Sequence, residues 1–490
     1  MLIWRVHMSV IQSIVFGFAI SILVVCGAYM SALKAADQPN IIIVFNDDMG
    51  YGDLGCFGAT KIKTPRIDQL AQEGMRFTDF YVASPVCSAS RASLLTGCYH
   101  RRVGVGGVFF PNRGQGGLAP EHITIAEILK TVGYKTKAVG KWHLGDEPDY
   151  LPTNQGFDSY YGIPYSNDMT PAQSMAYAED CLFREGFSIK MLNEGFKNSN
   201  APKGPAAFKN KVPLMRDEVC IELPADQRTI TQRFATEGMA FISESVAEEK
   251  PFFLYLANSM PHTPLYVSAE FEGKSEGGLY GDVIEEIDYN FGRILDHLKE
   301  LKIEDETLVV FTSDNGPWLI KGDHGGSALP LFEGKTTHFE GGQRVPTIIR
   351  WPKQIPAGSV CSEMALSMDL LPTLAHISGA ELETAIEIDG KNIMDLLAGT
   401  AGAETPHEFF FFGSSAVRSG KWKYHAVEQF KVKATARENT GSTLYNLEED
   451  IGESHNVIDQ YPEIAARLKK ALESNPNHGK SKERASKKTK

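Results

Sequence analysis

Three unbroken apolar runs and one shorter strand-like stretch organise the chain, and each ends in a cluster of polar residues. Ile41-Ile42-Ile43-Val44-Phe45 stops at Asn46-Asp47-Asp48-Met49-Gly50. Thr136 to Val139 leads into Gly140-Lys141-Trp142-His143-Leu144-Gly145. Pro251-Phe252-Phe253-Leu254-Tyr255-Leu256 delivers Pro261-His262-Thr263-Pro264, and Thr307 to Thr312 runs into Ser313-Asp314-Asn315-Gly316. Apolar runs without polar alternation predict strands covered on both faces, as in a parallel sheet. Helical spacing fills the intervals. Thr64-Pro65 to Gly74 carries a capping residue, a proline at the first position and a glycine stop. Thr124-Ile125-Ala126-Glu127 is a capping box for a helix ending at Gly133. Thr229 to Val246 and Tyr280 to Leu301 are longer helices, the second with Ile284, Ile287, Phe291, Ile294 and Leu298 on one face. Phe77 to Val82 reads as a short strand, and Ser367 to Leu374 opens a further helix. Strands alternating with helices predict an α/β fold. In open α/β sheets ligands gather beyond the carboxyl ends of the strands, so the four polar clusters are expected to share one site.

The pattern is lost between Asp146 and Glu249. Asn154 to Gly162 is turn-rich and aromatic, and residues 181–222 show little periodicity and many Lys, Asn and Pro. The expectation is loops over the mouth of the site, where selectivity resides. Beyond about residue 400 the segments Phe409–Gly413, Ser415–Arg418, Lys421–Tyr424 and Leu444–Leu447 read as short antiparallel strands, followed by a helix from Pro462 to Leu472. A chain of 490 residues supports a large core and more than one domain. The expected division is a signal peptide over 1–36, a main domain over 38–400, a small antiparallel-sheet domain over 401–475 and a disordered basic tail over 476–490.

The first of these rests on Arg5 and His7, the uncharged run from Ile14 to Met30 and the small residues up to Ala36, with cleavage between about Ala28 and Ala36. The run is also close to the shortest length that spans a bilayer, which leaves an uncleaved anchor as the other reading. Export to a periplasm or the cell exterior follows, with no stable membrane span after cleavage. The formal charge of −12 excludes nucleic acid as a main partner. An anionic substrate must then be met by a local cluster of cations. Without Cys26, six cysteines remain, and five if Cys87 is consumed by modification, so no disulfide framework is implied. Cys181 with Cys220 is the one pairing to consider.

The polar clusters carry specific chemistry. Asp47 and Asp48 repel each other at a strand end, and a cation with oxygen ligands relieves that; a polar turn with a helix-capping Asp is the plainer reading. Asp314 and Asn315 add a carboxylate and an amide oxygen of the same hard type. On a strand, Lys141 and His143 point the same way, joining a cation to an imidazole; standing alone, the pair reads as part of a surface strand. His262, held between two prolines, fits a ligand-facing or a backbone-bonded histidine. In Pro85-Val86-Cys87-Ser88-Ala89-Ser90-Arg91-Ala92-Ser93-Leu94-Leu95-Thr96-Gly97, a helix beginning near Ser90 sets Cys87 at its N-terminus and Arg91 in its first turn. An isolated Cys-x-x-x-Arg is otherwise a buried cysteine on a small-residue turn.

Cys87-x-Ala89-x-Arg91 followed by Leu-Leu-Thr-Gly closely resembles the signature of the type I sulfatases. Asp47-Asp48-x-Gly50, Gly140-Lys141-Trp142-His143-Leu144-Gly145 and Gly334-Lys335 followed by Glu340-Gly-Gly-x-Arg344-Val-Pro are similar to further motifs of that family. The resemblance runs from Asn40 to about Leu472. It departs at Cys98, where the family often carries Arg, and at Phe332-Glu333, where it often carries Arg-Gly. The resemblance implies an alkaline phosphatase-like large mixed β-sheet flanked by helices, with a smaller C-terminal α+β domain. It implies that a maturation enzyme oxidises Cys87 to formylglycine (3-oxoalanine), whose hydrate is the nucleophile. Asp47, Asp48, Asp314, Asn315 and position 87 would bind a divalent cation, Ca²⁺ rather than Mg²⁺ given the all-protein oxygen set. Arg91 and Lys141 would position the nucleophile, Lys335 and His262 would neutralise or protonate the leaving oxygen, and His143 would take the proton that re-forms the aldehyde. The implied activity is removal of sulfate from a sulfated carbohydrate or aryl sulfate. The alternatives are a phosphomonoester or phosphonate hydrolase of the same superfamily, and a non-catalytic binder of sulfated glycans if Cys87 stays a thiol.

Overall fold

The computed structural model describes residues 38–199, 204–384, 386–427 and 441–475. The expected signal peptide and basic tail lie outside the described residues. Among the described residues seventeen strands follow in chain order: β1 (Asn40–Asn46), β2 (Met75–Phe77), β3 (Phe80–Tyr81), β4 (Lys135–Lys141), β5 (Ser159–Ile163), β6 (Tyr177–Phe183), β7 (Leu214–Arg216), β8 (Val219–Leu223), β9 (Phe252–Ala257), β10 (Thr307–Ser313), β11 (Thr347–Arg350), β12 (Ser359–Cys361), β13 (Ala365–Leu366), β14 (Phe410–Phe412), β15 (Ala416–Ser419), β16 (Trp422–His425) and β17 (Thr443–Asn446).

Eleven of them form one mixed sheet in the order β12-β2-β11-β10-β1-β9-β4-β5-β7-β8-β6. Its centre, β10-β1-β9-β4-β5, is parallel throughout. The unbroken apolar runs are these central strands, and both of their faces are buried. Ile41, Ile43 and Phe45 enter one apolar cluster with Leu94 and Leu371, while Ile42 and Val44 enter another with Ile284 and Phe291. Successive side chains of a strand point to opposite faces, so one run feeds two cores. The helix Gly278–Glu300 covers one face through its predicted apolar stripe, and the helices Cys87–Thr96 and Leu370–Ser378 cover the other.

Several expectations are corrected. The helix Pro65–Glu73 begins after Thr64, but the Thr64 hydroxyl does not cap it. That oxygen instead accepts from the Gly55 N–H at 2.8 Å and donates to Asp68 Oδ1 at 3.1 Å. The free N–H groups of Arg66 and Ile67 donate to Asp288 Oδ1, at 3.0 and 2.8 Å, so a distant carboxylate does the capping. The Phe77 to Val82 segment divides into β2 and β3 around Thr78-Asp79, because Asp79 turns to meet Arg344 and Arg418, each at 2.7 Å. Residues 181–222 are not plain loops. They supply part of β6, the helix Ile189–Lys197, β7 and β8, which extend the sheet beyond β5. Their periodicity is weak because β6 is largely uncovered and its register with β8 shifts.

The strands β14-β15-β16-β17 make a separate antiparallel sheet, packed on the helix Pro462–Glu473 through Val417, Tyr424, Leu444, Leu468 and Leu472. Cys56, Cys87, Cys98, Cys181, Cys220 and Cys361 are free thiols, and the Cys181 and Cys220 sulfurs lie 3.9 Å apart. Among the described residues no helix is long and apolar enough to cross a membrane.

Candidate active site

Every predicted site residue lies at or just beyond the carboxyl ends of the central strands, on the helix Cys87–Thr96 or on the loop that carries Lys335. Asp47 and Asp48 follow β1, Lys141 ends β4, His262 follows β9, and Asp314 and Asn315 follow β10. Cys87 opens the helix Cys87–Thr96, three residues earlier than the start expected at Ser90, so Arg91 falls in the second turn rather than the first. The Pro85 carbonyl accepts the Thr336 N–H at 2.9 Å, which brings the Lys335 loop against the start of that helix. Gly316 has no room for a side chain: a Cβ there would meet the Gly341 carbonyl oxygen at 1.7 Å.

The sulfur of Cys87 and carboxylate oxygens of Asp47 and Asp314 lie within 4.8 Å of one another, and so do ligand atoms of Asp47, Asp48 and His262. Arg91 joins the group from inside the core, with no solvent exposure. Its Nη2 and Nε hold Asp314 Oδ2 at 2.7 and 3.0 Å, and its Nη1 donates to the Lys141 carbonyl at 2.9 Å. Lys141 Nζ reaches Asp47 Oδ2 at 2.5 Å. Lys335 Nζ pairs with Asp48 Oδ1 and sits 4.8 Å from the centre of the Trp318 ring. Asn315 Nδ2 donates to Asp48 Oδ1 at 2.7 Å. Asp48 and His143 adopt φ values of +68° and +62°, a region that costs a non-glycine residue of order 1–3 kcal/mol and collects at functional sites. The turn at His143 also corrects the expected strand alternation, because β4 ends at Lys141.

His143 and His262 are oriented by their neighbours. His143 Nε2 lies 3.0 Å from the Phe109 carbonyl, which only accepts, so Nε2 carries the proton and the buried Nδ1 keeps its lone pair. His262 Nδ1 lies 2.9 Å from Asn167 Oδ1, whose amide nitrogen donates to Gln227 and to the Pro264 carbonyl, so the His262 lone pair is on Nε2, 3.8 Å from Asp48. Burial holds both imidazoles well below the usual histidine value, aided by Lys141 beside His143 and Lys335 beside His262. Ser166 and Asn167 did not stand out in the sequence. Ser166 Oγ is 3.3 Å from Lys141 Nζ. Both residues follow β5 closely, and recognising Ser159–Ile163 as a fifth central strand would have pointed to them.

The donor set fits a hard divalent cation. Asp47 Oδ1, Asp48 Oδ2 and Asn315 Oδ1 are buried oxygens with no hydrogen-bond partner. Burial and the Asp47 charge push the Asp314 carboxyl up to about 7 despite Arg91, and burial raises Asp48 as well. At Asp47 burial acts in the same upward direction, but Lys141, His262, Arg91 and Lys335 outweigh it and hold the carboxyl well below the ordinary range. Three buried carboxylates need positive charge beyond that of the side chains to stay ionised together, and oxygen-binding cations supply it. Burial also pushes the Cys87 thiol above its ordinary value, so the unmodified side chain is a poor nucleophile at neutral pH.

Residues 39–380 match the family described as Sulfatase, and residues 329–478 match the C-terminal region of N-sulphoglucosamine sulphohydrolase. The chain belongs to the sulfatase family. It is 37% identical to arylsulfatase A of Bos taurus over 470 residues, covering 91% of this chain and 88% of that protein. It is 36% identical to N-acetylgalactosamine-6-sulfatase of Canis lupus familiaris over 414 residues, covering 82% and 74%. The crystal structure of Ps i-CgsB, solved also in complex with k-i-k-neocarrahexaose, superposes with a TM-score of 0.72 at 31% identity, covering 89% of this chain and 92% of that one. The chain is a sulfuric ester hydrolase, and its large mixed sheet with a small antiparallel sheet is the alkaline phosphatase-like fold of that family. Membership implies a metal ion and a formylglycine in general terms.

Proposed function

We propose that this sulfatase removes sulfate from a sulfated glycan, using formylglycine at position 87 and Ca²⁺ held by Asp47, Asp48, Asp314 and Asn315. The observation that carries the reading is the approach of Cys87 to Asp47 and Asp314 within 4.8 Å, beside buried oxygens that lack partners. Four uncharged or anionic oxygen donors from the protein suit Ca²⁺ better than Mg²⁺, which keeps most of its water. Bound there, the cation would polarise a sulfate oxygen and lower the pKa of a hydroxyl at position 87.

The residues of the chain divide the remaining work. A maturation enzyme oxidises the Cys87 side chain to an aldehyde, and hydration gives the attacking hydroxyl. Arg91 and Lys141 fix position 87 and the sulfate so that sulfur is met in line with the departing alcohol. Burial works against the Lys335 ammonium, but Asp48 beside it holds its pKa above the ordinary lysine value. Lys335, paired with Asp48 and set against the Trp318 ring, is the cation we assign to the leaving oxygen. His262, with Nδ1–H committed to Asn167, has Nε2 free to take up a proton and pass it to the leaving oxygen beside Lys335. His143 Nδ1, the free lone pair, accepts the proton of the remaining hydroxyl as sulfate leaves.

A sulfated carbohydrate substrate is supported by the glycan complex of Ps i-CgsB and by the acidic surface, on which only a local cation cluster attracts anions. Secretion or periplasmic location rests on the N-terminal pattern, and we read residues 38–400 as the catalytic domain and 401–475 as the small one. Release of inorganic sulfate from sulfated oligosaccharides, measured beside phosphate release from matched phosphate esters, tests the reading. Sulfate release alone supports it, and phosphate release in preference overturns it.

A further inference from the structure

A cavity of about 330 Å³ lies between Phe110-Pro111 on one wall and Asp168-Met169-Thr170 on the other, with Pro205 and Lys209 closing it. Both walls are immediate continuations of residues fixed to the site. Phe109 accepts from His143 Nε2 through its carbonyl, and its N–H donates to Ser88 Oγ at 3.1 Å, next to Cys87. Ser166 and Asn167 hold Lys141 and His262, and the Met169 N–H donates to the Ser166 carbonyl at 3.1 Å. Asn112 ties the walls together, donating to the Pro171 carbonyl at 2.9 Å and accepting from the Gln173 N–H at 2.7 Å. The volume is at the lower end of small-ligand sites, enough for one ring.

We infer that this cavity is the subsite for the sugar residue on the leaving-alcohol side of the sulfate ester, and that Phe110, Asp168 and Lys209 set the preference for it. The inference rests on the sulfatase reading of the adjoining site. Phe110, Pro111, Met169 and Pro205 offer apolar surface to the C–H face of a pyranose, and the Phe110 ring is held by the Arg113 guanidinium 5.0 Å from its centre. Asp168 and Lys209 supply an acceptor and a donor for ring hydroxyls. A purely hydrocarbon leaving group would make no use of either charged group, so the pair favours a hydroxyl-bearing ring.

The test uses the full-length, formylglycine-bearing protein and the variants Asp168→Asn, Phe110→Ala and Lys209→Gln, the last at an exposed position. Kinetic constants are measured on a set of sulfated di- and tetrasaccharides and on p-nitrophenyl sulfate. The expected result is that the ratio of kcat/KM for oligosaccharide over aryl sulfate falls about tenfold or more in the variants, mainly through KM. An unchanged ratio, with both substrates falling together or neither falling, overturns the inference. Wild-type protein that hydrolyses the aryl sulfate and no sulfated oligosaccharide overturns it together with the glycan substrate, while leaving the sulfatase chemistry of the site intact. Failure on every sulfate ester defeats both.

Discussion

Arg91 grips a single oxygen of Asp314, Oδ2, with two nitrogens at 3.0 and 2.7 Å, and leaves Oδ1 to the Asp48 N–H at 3.2 Å. The pair is separated by 223 positions in sequence and has no exposed side-chain surface. It fixes the helix that begins at Cys87 to the end of β10 and orders one carboxylate of the cation site.

Removing one partner of such a pair strands the other charge. Arg91→Ala is expected to lower stability by about 3–5 kcal/mol. Arg91→Lys keeps the charge but loses the fork, and is expected to recover part of the stability and little of the activity. Thermal unfolding and sulfate release check both.

Cation binding is expected to stabilise the folded protein by about 2.7 kcal/mol at a hundredfold excess over Kd, and so to raise the midpoint of unfolding. Without a cation, the Asp314 carboxyl sits near 7, raised by burial and then by Asp47 above its unfolded value. A raised carboxyl favours the folded state only while protonated, so its contribution is lost as pH climbs from the unfolded value through 7. The cation must displace that proton, so stabilisation by Ca²⁺ is expected to grow between about pH 5 and 8. Calorimetry at fixed Ca²⁺ across this range measures it, and Asp48→Asn is expected to weaken the effect.

The buried network behind the Lys335 loop predicts a second stability effect. Lys423 of β16 donates to Glu340 Oε1 at 2.9 Å and to Glu453 at 3.0 Å, and the Glu340 N–H donates to Glu453 at 2.7 Å. Glu340 also meets Arg344 at 3.2 Å and the Tyr81 hydroxyl. Lys423→Met is expected to cost about 3–5 kcal/mol and to reduce kcat, because Glu340 anchors the segment that carries Lys335. Unfolding in denaturant together with steady-state kinetics reads the two effects.

His143→Ala removes the acceptor at Nδ1 without touching the cation ligands. A single burst of alcohol, about one per active site, is expected before turnover stalls, with kcat down about 10²- to 10⁴-fold. Rapid-mixing measurement of the alcohol alongside released sulfate separates this from a simple loss of binding.

Much of this was legible in the sequence because the chemistry stands where apolar runs stop. Ile41 to Phe45 and Thr307 to Thr312 named their own strands, and the residues after them are the ones the fold gathers. What escaped was decided across the fold. Thr64 has the sequence of a cap, yet the cap is Asp288, a residue 222 positions from Arg66. Ser166 and Asn167 carry no motif and gain meaning only from the parallel pairing of β4 with β5. Lys423 looks like an ordinary strand lysine until the small sheet buries it beside Glu340 and Glu453. β6 lacks alternation because little covers it.

The measurement that bears most directly on the central claim is the mass of the peptide spanning position 87, taken from active protein and read beside the activity of Cys87→Ala. The peptide is expected to be lighter than the encoded one by the difference between H plus SH and O, and the variant to stay folded and release no sulfate. Full sulfate release from protein whose Cys87 remains a thiol, or from the variant itself, would contradict the account.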